Sequence, residues 1–82
     1  MQVSAKAFVL IETEVGKTSE AVITLKQTEG VKTADAVTGP YDVIAVVEGE
    51  RLDEIGNIVT EKIQRVPGVS RIITCLAILS EY

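Results

Sequence analysis

The sequence predicts an α+β fold with the element order β-α-β-β-α-β, and three observations predict it. The 82 residues are 46% apolar, and 12 valines and 9 isoleucines carry most of that fraction. Such a composition favours packed strands. Four apolar stretches of strand length alternate with two stretches of helical periodicity. Gly30-Val31 closes the first helical stretch and opens a strand, and Gly68-Val69 does the same for the second. Two split β-α-β halves that share one antiparallel sheet of four strands make a ferredoxin-like sandwich, with both helices on one face.

The first strand is Lys6 to Glu12, five apolar residues bounded by charges. A run of that kind reads as a strand covered on both faces. Thr13 to Lys17 contains Gly16 and reads as a loop. Thr18 to about Gln27 reads as a helix: Thr18 or Ser19 can cap it, Glu20 suits its positive end, and Ala21, Val22 and Leu25 share a face. Gly30 suits the position just past the helix, where a left-handed conformation costs it least. Val31 to Thr38 is the second strand. Gly39-Pro40 is the strongest turn signal in the chain, because proline lacks an N–H and fixes φ. Tyr41 to Val47 is the third strand, with Tyr41, Val43, Ala45 and Val47 on one face and Ile44 and Val46 on the other. Arg51 to Val66 is the clearest helix, since Leu52, Ile55, Val59, Ile63 and Val66 follow steps of three and four. Asp53 and Glu54 open it and Lys62 and Arg65 close it, which complements the helix dipole. Pro67-Gly68 stops it, and Val69 to Leu79 is the fourth strand.

Two helices cover only one side of four strands, yet the first, third and fourth strands are apolar in both parities. An uncovered apolar face of this size exceeds what soluble monomers normally expose. A second copy packed sheet to sheet solves the problem, so the sequence predicts a homodimer at least.

Composition excludes several function classes. There is no histidine and only one cysteine. Ser-His-Asp and Cys-His catalysis therefore cannot operate within the chain, no intramolecular disulfide can form, and no zinc or haem site is expected. The six glycines are too scattered for a nucleotide-binding loop. The net charge is −4 without a basic stripe, which leaves little for nucleic-acid phosphates. No apolar run approaches a membrane span. A reducing, cytoplasmic setting is expected, with no metal or cofactor and no catalytic residues.

The residues with chemistry are few. Asp42 enters an otherwise apolar strand after the Gly-Pro turn. It reads first as a turn aspartate that bonds nearby backbone N–H groups, and second as an anchor for a cationic group such as an α-amino group. Tyr41 reads as a packing residue or a pocket wall. Thr38 and Thr74 suit strands and offer hydroxyls. Cys75 reads as a buried small hydrophobe. Gly56 sits inside the second helix, where it costs about 1 kcal/mol against alanine.

Three segments together carry a resemblance: Ala7-Phe8-Val9-Leu10-Ile11, then Thr38-Gly39-Pro40-Tyr41-Asp42, then Val66-Pro67-Gly68-Val69 before a strand that contains threonine. They resemble the effector-binding domain of the Lrp/AsnC (feast/famine) transcription regulators, the RAM domain (regulation of amino acid metabolism). The likeness runs from about Ala5 to Leu79. It implies a non-enzymatic module over residues 1–82, without a DNA-binding domain, that resembles a stand-alone RAM protein. It implies sheet-paired dimers that assemble further, often as tetramers of dimers, with amino-acid effectors between neighbouring dimers. It also implies a full-length Lrp/AsnC-type regulator as a possible partner. By similarity the ligand-binding residues are Thr38, Gly39, Tyr41, Asp42 and Thr74. A carboxylate can receive an ammonium, while glycine and hydroxyl groups present donors to a ligand carboxylate. Two positions depart from the family pattern: Pro40 removes a backbone donor at the turn, and Ile72 replaces an earlier threonine of the fourth strand. The alternatives are a small ferredoxin-like dimeric enzyme, which would need a polar constellation between helices and sheet, and a purely structural assembly module.

Overall fold

A computed structural model describes residues 5–78. The expected end of the fourth strand at Leu79 lies outside them. The elements are β1 (Ala5–Thr13), α1 (Thr18–Lys26), β2 (Val31–Ala36), β3 (Val43–Gly49), α2 (Leu52–Asn57) and β4 (Val69–Leu76). They follow the order read from the sequence. All pairings are antiparallel, and the sheet order is β2-β3-β1-β4. This is the ferredoxin-like arrangement.

One parity of each strand faces the helices. Ala7, Val9 and Ile11 of β1 lie beside Val43, Ala45 and Val47 of β3, all fully buried. Ala21 and Leu25 of α1, with Ile55, Val59 and Ile63 after β3, close the core from the same side. Among the described residues no polar or charged residue is buried. The layer between helices and sheet is held by apolar burial, about 25 cal/mol per Å².

The second helix differs from a uniform α-helix. After α2 it widens to a π turn over Ile58–Lys62 and tightens to a 3-10 turn over Ile63–Arg65. Ile55, Val59 and Ile63 follow at steps of four, and in a regular α-helix each such step overshoots a full turn. The wider π turn takes up that drift and keeps all three in the core. Leu52 does not join them, being 63% exposed against 2% for Ile55. A helical side chain leans over the turn before its own Cα. Leu52 is the first residue of α2, so its side chain leans past the end of the helix.

Several local expectations need correction. Neither Thr18 nor Ser19 caps α1; Lys17 precedes the helix without a side-chain cap, and the Thr18 hydroxyl bonds Thr13 instead. Gly30 lies beyond the end of α1 and opens β2 with φ +96°. A Cβ there would run into the Ile58 side chain. β2 ends at Ala36 and β3 starts at Val43. Asp42 donates its N–H to the Ile11 carbonyl and accepts the Val37 N–H, each at 2.9 Å, so the ladder loses its regular alternation there. Cys75 is exposed rather than buried, because it sits opposite Phe8 on the sheet face that the helices do not cover.

That second face is apolar at its centre and charged at its rim. Leu10 lies between Ile44 and Ile73, and Phe8 between Val46 and Cys75. Phe8 keeps 39% of its surface exposed. Lys6 stands opposite Glu48 at one end, and Glu12 meets Arg71 at 3.8 Å at the other.

Candidate functional site

The turn between β2 and β3 gathers four of the five residues singled out from the sequence. Thr38 and Gly39 are exposed, and Tyr41 and Asp42 are half-buried. Gly39 takes φ +134° with open space around it, a conformation that side-chain-bearing residues rarely adopt. Thr74 is not alongside. It is exposed on β4, paired with Val9. Val9 is four residues back along β1 from Thr13, about 13 Å at the rise of a strand. Within one chain, then, the hydroxyl of Thr74 is remote from the turn.

Asp42 is the anchored member of the group. Its Oδ2 accepts a hydrogen bond from the Thr13 N–H at 2.8 Å, across 29 residues of sequence. With its own N–H on the Ile11 carbonyl, Asp42 closes the end of the β1–β3 ladder. A backbone-bonding aspartate was the first expectation. The donor belongs to β1 rather than to the turn itself. Its Oδ1 makes no hydrogen bond among the described residues and points to what the turn can do chemically: offer a negative oxygen to a cation.

The residues that sequence reasoning missed are Thr13 and Thr18. The Thr13 hydroxyl meets that of Thr18 at 2.7 Å, and the Glu14 N–H donates to the Gly68 carbonyl at 2.8 Å. This ties the Asp42 turn to the start of α1 and to the Pro67-Gly68 turn. The only available signal was Asp42 itself, a carboxylate at the mouth of an apolar strand, which needs donors from somewhere.

A concavity of about 400 Å³ lies at the opposite end of β2 and β3. Glu29, Glu48, Glu54 and Glu61 line it with Asn57 and Lys62. Glu54 is already engaged by the Glu50 N–H at 2.7 Å, and Lys62 approaches Glu29 at 3.7 Å. None of the residues singled out from the sequence lines it. Among the described residues no group of three or more acidic, cysteine or histidine side chains could hold a metal ion. No helix there is long and apolar enough to cross a membrane.

A four-stranded antiparallel sheet with both helices on one face and an open apolar second face defines a ferredoxin-like α+β domain. The chain belongs to the Lrp/AsnC ligand binding domain family, whose model matches residues 6–82. It is 37% identical to the hypothetical protein PHS023 from Pyrococcus horikoshii, covering 93% of this chain and 92% of that one, with a TM-score of 0.84. It is 31% identical to TTHA0845 from Thermus thermophilus, covering 95% and 98%, with a TM-score of 0.88. E. coli AsnC shares the fold at 19% identity and a TM-score of 0.88, and the likeness covers 96% of this chain but 54% of AsnC. A search of curated proteins returns no significant match. The family is one of regulatory effector-binding domains, as the resemblance implied.

Proposed function

We propose that this chain is a stand-alone regulatory module that binds a small effector, an amino acid, at interfaces of a homo-oligomer. Through that oligomer it modulates full-length Lrp/AsnC-type transcription regulators. The observation that carries the reading is the 38–42 turn of a family ligand-binding domain, which offers one unbonded carboxylate oxygen beside an exposed glycine and an exposed hydroxyl. The likeness over nearly the full length of PHS023 and TTHA0845 supports a module that works without an attached domain. Two regulators of the same fold hold L-methionine, one from Neisseria meningitidis and Rv3291c from M. tuberculosis. This makes methionine the first effector to test.

The proposed roles follow from the chemistry. Asp42 receives the effector ammonium, Thr38 and Gly39 present donors to its carboxylate, and Tyr41 walls the pocket. Thr74 takes part only if a second copy brings it to the turn. An effector that completes its pocket between copies stabilises the assembled state by mass action.

Native mass spectrometry of the chain, alone and with a mixture of the common amino acids, tests the reading. Asp42→Asn is the useful variant, since it keeps an acceptor for the Thr13 N–H and removes the charge. The expected outcome is multiples of dimers that take up one amino acid per turn, with uptake lost in the variant and the assembly unchanged. An oligomer that takes up nothing would instead favour the second reading, a structural assembly module. The observation behind that reading is that Asp42 already holds the end of β1.

A further inference from the structure

We infer that Thr13 is a positioning residue for the 38–42 turn: its backbone holds the Asp42 carboxylate, and its hydroxyl ties that carboxylate to the start of α1. The inference rests on the effector reading of the turn and adds a route by which effector binding reaches the helix layer.

Strand alternation makes Thr13 special. Backbone groups along β1 point by turns to β3 and to β4. The Ile11 carbonyl points to β3 and takes the Asp42 N–H at 2.9 Å. Thr13 is the next residue facing that way, but the regular strand opposite begins only at Val43. The Asp42 carboxylate supplies the missing acceptor at 2.8 Å. A half-buried N–H without one would be costly. On the β4 side the same stretch is fixed twice. The pairing slips by one residue between Glu12 and Thr13, leaving Ser70 as the extra residue, and its hydroxyl donates to the Glu12 carbonyl at 3.0 Å. The Glu14 N–H then donates to the Gly68 carbonyl. With its backbone pinned on both sides, Thr13 has its hydroxyl as the remaining connection, and that meets Thr18, the first residue of α1, at 2.7 Å. Displacing the Asp42 carboxylate toward an effector therefore draws on Thr13, and Thr13 draws on α1.

Thr13→Val and Thr18→Val each remove one hydroxyl and keep the β-branched shape. Amide hydrogen exchange, read residue by residue by NMR, needs no effector. Either variant is expected to speed exchange at the Thr13, Val37 and Asp42 amides by about three- to tenfold, the range of one lost hydrogen bond. Exchange at Val9 and Ala45, in the middle of the sheet, stays unchanged. Equal acceleration across the core, or none at the turn, overturns the inference. L-Methionine titration is the second arm. In a wild-type chain that binds it, Thr18→Val weakens binding by a similar factor, and faster exchange with unaltered affinity overturns the coupling. A wild-type chain that takes up no amino acid defeats the effector reading, and the exchange data alone then decide the positioning role.

Discussion

Leu10→Asp is the sharpest test of what covers the open sheet face. Leu10 is half-buried at the centre of that face, between Ile44 on β3 and Ile73 on β4. Full burial of a leucine is worth about 1.5–3 kcal/mol, so a half-buried one still has roughly 1 kcal/mol to gain in an interface. The substitution forfeits that and strands a carboxylate between two apolar surfaces, at a cost of about 2 kcal/mol or more. In an isologous pair both copies carry the change. The total is about 6 kcal/mol, or some four decades in the dimer Kd. The helix layer is untouched, since Leu10 faces away from the core that Val9 and Ile11 fill. Sedimentation velocity at about 10 μM should show a wild-type dimer or larger species and a folded Leu10→Asp monomer, with the far-ultraviolet circular dichroism unchanged. A wild-type monomer, or a variant that sediments as the wild type does, would refute the sheet-to-sheet reasoning.

Two further predictions concern α2. Ile55→Ala should lower the unfolding free energy by about 2–5 kcal/mol in urea titrations, the usual cost of emptying a filled core site. Leu52→Ala should change it by less than about 0.5 kcal/mol, since that side chain is mostly in solvent. The helix start also carries an Arg51–Asp53 pair at 2.9 Å. The hydrogen bond from Arg51 holds the Asp53 carboxyl below its ordinary range. Because the folded value is depressed, whatever stability the pair adds is present above the unfolded carboxylate value and fades as pH falls through the lowered one. Carbon NMR titration should show Asp53 ionising early and reverting in Arg51→Ala. The pair is exposed, so added salt should shrink the difference.

Much of the fold was legible because it rests on periodicity. Lys6 to Glu12 and Thr18 to Gln27 carry patterns that one local geometry satisfies, and the structure forms strand and helix there. Arg51 to Val66 reads as helix too, but the structure builds it from α, π and 3-10 turns in succession. Gly30 and Gly68 punctuate the two halves, and both adopt positive φ. What failed was local in a different sense. Leu52 continues the apolar stripe on paper, yet a stripe does not say where the helix starts, and as the first residue of α2 its side chain leans past the helix end. Cys75 looked buried because its neighbours are apolar, but burial depends on what covers a face. The turn was legible as a turn, and Asp42 as the odd residue in it.

The partner of Asp42 was beyond reach of the sequence. Thr13 is one of several threonines near strand ends and helix starts, and nothing about its neighbours marks its N–H as the last β3-facing donor of β1. By itself the sequence determined two things, the element order and the surplus of apolar surface that asks for a second copy, while the structure chose which parity of each strand faces the helices. Those two follow from the spacing of apolar side chains along a chain of known geometry. The tertiary structure alone decided that Asp42 is shared between the turn and β1, that Thr13 meets Thr18, and that Thr74 stands apart from the turn. Those facts depend on strand register and on where each strand stops. Hydrogen bonds between residues far apart in the chain fix both, and no local pattern encodes them.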